Sequence, residues 1–112
     1  MKKWFAILLL ACALPLAAHP PRSVELGYDG ETATLAVKVL HRVGDPDRHF
    51  ISRIEVRSGK ELLAEKTYDR QETASGRDEA FSFAERPLKD GETLTVTAFC
   101  NISGEKSAEL KP

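Results

Sequence analysis

Good metal-donor side chains are scarce in this 112-residue chain, which holds only three histidines, His19, His41 and His49, and two cysteines, Cys12 and Cys100. His41 and His49 bracket the charged loop RVGDPDR, and Cys100 closes the apolar run ETLTVTAFC. Imidazole and thiolate together suit iron, zinc or copper. Each residue has a plainer reading when taken alone. A cysteine on an apolar strand face ordinarily fills core space, and a histidine in a charged loop is ordinarily solvated. Taken jointly they point to a site, because the three histidines and Cys100 all fall at strand ends or at the start of the folded domain.

The elements that must position them read as strands. In SVELGYD, Val24, Leu26 and Tyr28 alternate, and Asp29-Gly30 is a turn signal. In TATLAVKVL, Ala33, Leu35, Val37 and Val39 share one face, and Thr34 and Lys38 take the other. HFISRIEVRS follows the loop, with His49 opening the strand, and Ser58-Gly59-Lys60 turns into ELLAEKTYD. RQETASGRDE reads as a polar loop, AFSFA as a short strand and SAELK as the last one. Leu94, Val96, Ala98 and Cys100 share the apolar face of the cleanest run. Seven short strands with turns between them predict an all-β, immunoglobulin-like antiparallel β-sandwich. His41 extends the inward set of Leu35, Val37 and Val39, and Cys100 extends that of Leu94, Val96 and Ala98. Both therefore leave the core at strand exits, where they can meet.

The first 18 residues are of another kind. A basic head, MKK, precedes WFAILLLACALPLAA, an apolar stretch ending in small residues. This is the pattern of a secretory signal peptide cleaved after Ala18, and it implies a protein secreted to a bacterial periplasm. Residues 19–112 then form one domain. A second reading of LLAC would place lipid on Cys12 and tether the protein to a membrane. Cleavage after Ala18 gives His19 a free α-amine beside its ring. It also removes Lys2 and Lys3 and no carboxylate, so the mature charge lies below the −1 of the whole chain. That balance argues against nucleic acid as a partner. Cys100 becomes the lone cysteine, open to a role as core thiol, reactive thiol, metal ligand or intermolecular bridge in a homo-oligomer. No Gly-x-Ser-x-Gly nucleophile turn and no glycine-rich phosphate loop occurs. Glu31 and Asp29 read as turn residues.

HRVGDPDRHFISRIEV resembles the "HPM…EHYIEWIEL" stretch of the superoxide reductases, the iron-binding domain shared by desulfoferrodoxin and neelaredoxin. VTAFCNISG resembles their "AREYCNLHG", and HPPRSVEL more loosely their "HVPVIE". The resemblance implies an Fe(II) centre with histidine nitrogens around it and a cysteine thiolate behind it. It implies reduction of superoxide to peroxide with an external electron donor. By match, His19, His41, His49 and Cys100 would be ligands. Ser103 falls where the family has its fourth histidine, Arg53 where it has a tryptophan, and the family's lysine beside the opening histidine has no counterpart. The family's separate rubredoxin-like domain is missing as well.

Two functions of different class follow. One is a secreted superoxide-reductase-like protein with a mononuclear site of iron, or else copper or zinc. The other is a metal-free immunoglobulin-like module that binds a periplasmic partner, with Cys100 in its core and its histidines on the surface.

Overall fold

The computed structural model describes residues 19–112, so both the leader reading and the lipidation reading at Cys12 lie outside the described residues. Seven strands follow one another: β1 Ser23–Asp29, β2 Thr34–Leu40, β3 Ile51–Ser58, β4 Glu61–Thr67, β5 Gly76–Ser82, β6 Leu94–Cys100 and β7 Glu105–Leu110. They form two antiparallel sheets, ordered β1-β2-β5 and β4-β3-β6-β7. Among the described residues there is no helix. The fold is the expected β-sandwich, and β3 is the strand at which the chain crosses from the first sheet to the second.

Alternation explains the layers. In β2 and β6 every second residue is buried: Leu35, Val37 and Val39 on one side, Leu94, Val96, Ala98 and Cys100 on the other. Ile51, Ile54, Val56, Phe81 and Phe83 complete the core between the sheets. Burial at about 25 cal/mol per Å² of apolar surface is the main force holding the sheets together. Glu92, bonded to the Ser58 hydroxyl at 2.6 Å and to Arg86 at 3.0 Å, ties the β5–β6 connection to the end of β3.

Three expected boundaries are corrected. The first hairpin turn runs on to Ala33, which is buried but takes a left-handed φ of 56°, and the Asp29 side chain accepts from the Glu31 amide at 2.9 Å. The fifth strand starts at Gly76 and not at Ala80, because Gly76 to Ser82 pair with β2 along its full length. Its inward face carries Arg77 and Glu79 beside Phe81, with Arg77 stacked on the Tyr68 ring and Glu79 accepting from Tyr68 and Lys66, and so polar an inward face is why the segment resembles a loop in sequence. Gly76 itself is required by proximity: a Cβ there would sit on the Val39 carbonyl, and φ is +152°. Third, β3 starts at Ile51, leaving His49 at the end of the loop.

Candidate metal centre

Two devices bring the ends of β2, β3 and β6 together. The first is a β-bulge. Ile51 pairs with Cys100, yet Arg53 pairs with Phe99, so one residue of β3 is extra. The bulge re-phases the strand, which is why Ile51 and Ile54 are both buried although three residues apart. The second is the loop after β2. Asp45 folds it back: its carbonyl accepts from the amides of Arg48 at 3.0 Å and His49 at 2.9 Å, and its side chain from Asp47 at 3.1 Å. This single tight turn returns the chain to the end it left.

His41, His49 and Cys100 therefore converge. One donor atom from each lies within 4.8 Å of the others. Metal–imidazole and metal–thiolate bonds of about 2.0–2.3 Å put donors that share an ion roughly 3–4 Å apart, so a contraction of about 1 Å closes the set. His41 is fully buried and Cys100 is buried, while His49 is half-buried. The Nε2 atoms of His41 and His49 are buried without a hydrogen-bond partner. A buried polar atom left this way costs about 1–3 kcal/mol, and two such imidazole nitrogens beside a thiol suit a borderline-soft cation. The residues present fit a metal ion.

His19 approaches from outside. Its ring centroid lies 5.9 Å from that of His41 and 5.4 Å from that of His49, and the latter two are 4.8 Å apart. It is exposed and stands outside the tight three-residue group. Pro20 holds it near, packed so closely on Gly104 that a Cβ there would lie 2.7 Å from Pro20 Cβ. Gly104 adjoins Ser103, so the N-terminal segment enters beside that serine.

Burial of the His49 ring, and the charges that His41 and His19 would carry, push its pKa below the ordinary 6.5. The neutral imidazole, the form that binds metal, is favoured. The Ile102 amide donates to Cys100 Sγ at 3.5 Å. Arg53 takes no part in the cluster: its guanidinium stacks 4.1 Å from the Phe99 ring centroid and pairs with Glu55 and Glu65.

Sequence reasoning missed two residues here. Gln71 is fully buried and bonds the His41 ring, Oε1 to Nδ1, at 2.8 Å. Asn101 clamps the backbone on both sides of His49, accepting from the Phe50 amide at 2.8 Å and donating to the Arg48 carbonyl at 3.0 Å. The one sequence signal for Asn101 was its place directly after Cys100. For Gln71 there was none, since it lies in the stretch that reads as a polar loop.

Fold and site together define an all-β sandwich with a His/His/Cys cluster at one end. Among solved structures the chain is similar to a variant of superoxide reductase (neelaredoxin) from Archaeoglobus fulgidus in the reduced form. The TM-score is 0.52 at 16% identity, over 92% of this chain and 94% of that one. A second structure of that reductase gives a TM-score of 0.48 at 19% identity, over 84% and 90%. The first likeness shows a shared fold. No family model and no curated protein sequence matches the chain.

Proposed function

We propose that this chain is a secreted, periplasmic metalloprotein whose mononuclear iron centre, held by His41, His49, Cys100 and His19, reduces superoxide to hydrogen peroxide. The observation that carries the reading is the convergence of His41, His49 and Cys100, with two buried and partnerless Nε2 atoms. The fold shared with a superoxide reductase adds the choice of iron and of substrate. A bound Fe(II) would supply one electron to superoxide, which takes up two protons to become hydrogen peroxide, and an external donor would restore the electron.

The protein's own groups do the rest. Cys100 supplies a thiolate, which favours electron donation, and the Ile102 amide moderates it through its contact with Sγ. His41 and His49 supply neutral imidazoles. His19, once it begins the mature chain, supplies a ring nitrogen and an α-amine, and the amine replaces the nitrogen lost where Ser103 stands. Arg22 and Arg42 line a cleft of about 410 Å³ with His19, Pro20 and Pro21. Their charges draw a small anion toward the His19 side of the cluster.

The test uses protein recovered from the periplasm of a bacterial host. Mass spectrometry should find His19 at the N-terminus, and metal analysis should find about one iron per chain. Superoxide should be consumed with one peroxide formed per superoxide in the presence of a reductant. Half that yield indicates dismutation, and a metal-free protein inert to superoxide returns the chain to the binding-module reading.

A further inference from the structure

We infer that Gln71 is a positioning residue: it fixes His41 as the Nδ1–H tautomer and aims the bare Nε2 at His49 and Cys100. This rests on reading the cluster as a metal site. Three of the Gln71 contacts involve groups whose hydrogen-bonding character cannot change. Gln71 Oε1 accepts from the Ile51 backbone amide at 2.9 Å. Gln71 Nε2 donates to two backbone carbonyls, those of His41 and Thr73, each at 3.0 Å. An amide N–H can only donate and a carbonyl can only accept, so these three contacts fix which end of the Gln71 amide is oxygen. Turning the amide over would set its NH2 against the Ile51 N–H and its oxygen against two carbonyls. Three good bonds would become three repulsions, at about 1–3 kcal/mol for each buried group left unsatisfied.

The fourth contact then has only one sense. Oε1 faces His41 Nδ1 at 2.8 Å, so Nδ1 carries the proton and donates. In a neutral imidazole the other nitrogen is the acceptor. That nitrogen, Nε2, is buried and without a partner in the cluster. This is not the form a solvated imidazole prefers, so the protein selects it. Both oxygen lone pairs and both N–H bonds of the Gln71 amide are used, which removes rotational freedom from its side chain. Its own backbone is fixed by donation to the Pro46 carbonyl at 2.9 Å. The loop that carries His49 and the ring of His41 are thus referred to the same residue. Hydrogen bonds to the far nitrogen of ligating histidines typically matter about 10–100-fold in metal affinity.

The experiment uses metal-free protein, with Zn(II) as probe. Two-bond 1H–15N correlation at alkaline pH reads each histidine tautomer directly. In the native protein, His41 should show a protonated Nδ1 and a bare Nε2. Gln71→Met should lose that signature and bind Zn(II) about tenfold or more weakly. Gln71→Glu keeps the oxygen that accepts from Nδ1–H and from the Ile51 amide, so it should retain the tautomer, while its second oxygen, set against the His41 and Thr73 carbonyls, should cost stability. Val37→Ala, a core truncation, should lose stability with neither the tautomer nor the Zn(II) affinity moving. His41 found as Nε2–H in the native protein overturns the inference, and so does a folded Gln71→Met that binds Zn(II) like native. If Gln71→Met does not fold, the native spectrum and Gln71→Glu still decide. If the native protein shows the expected tautomer but binds no metal, the metal reading falls while the Gln71–His41 pairing stands.

Discussion

Gly104 should control how firmly His19 is held to the cluster. Its φ is +80°, and an added Cβ would lie 2.7 Å from Pro20 Cβ and 3.3 Å from Pro20 Cα and Cγ. Carbon atoms pack best at about 3.5–4.0 Å, so in Gly104→Ala the Pro20 ring must recede by about 1 Å. A proline ring has no rotamer to swing away, and the movement passes to the adjoining His19. The left-handed φ costs about 1–2 kcal/mol on its own. Gly91 supplies the matched control, with the same φ of +80° and nothing within 4 Å of the point where a Cβ would stand. Gly91→Ala should therefore lose similar stability and keep its metal affinity. Gly104→Ala should also bind Zn(II) about tenfold more weakly, equivalent to about 1.4 kcal/mol. Chemical denaturation measures the first quantity and competition with a chelator the second. Because the Gly104 carbonyl also accepts from the Cys100 amide at 3.0 Å, the pair should be repeated in a His19→Ala background, where the extra loss should vanish. Equal Zn(II) affinity for Gly104→Ala and Gly91→Ala, or a loss that persists without His19, refutes the reasoning.

Cys100→Ser should weaken metal binding far more than Ser103→Ala, because Cys100 carries a donor within the cluster and Ser103 does not; chelator competition compares them. Val96→Ala should cost about 1–3 kcal/mol in denaturant titration, since Val96 is fully buried between the sheets. Glu92, bonded by Arg86, the Lys89 amide and Ser58, has its pKa lowered from 4.5 to about 2. A carboxylate depressed in this way adds stability above its unfolded value and loses it as pH falls from about 4.5 toward 2. Glu92→Gln should flatten that acid limb in pH-dependent unfolding, leaving the neutral-pH spectrum of the cluster unchanged.

Much of the site was legible because a strand has period two. Leu35, Val37 and Val39 dictate that His41 points inward, and Leu94, Val96 and Ala98 dictate the same for Cys100. Their meeting at one end needed only that the two strands belong to facing sheets. The limits of β5 were less legible, because an edge strand that starts at a glycine and carries Arg77 and Glu79 on its inward face looks like a loop. Nothing local marks the bulge in β3, since the extra residue is defined only by pairing with β6.

The sequence by itself determined the strands, the inward faces and the donors those faces carry, because side-chain direction follows from the chain's own repeat. Tertiary structure alone decided what surrounds those donors. Gln71 lies 30 residues from His41, and Asn101 lies 51 residues from Phe50. The closure of Pro20 on Gly104 joins the first described residues to the last hairpin. Such contacts depend on where distant backbones come to rest to within a few tenths of an ångström, which the periodicity of either segment does not encode.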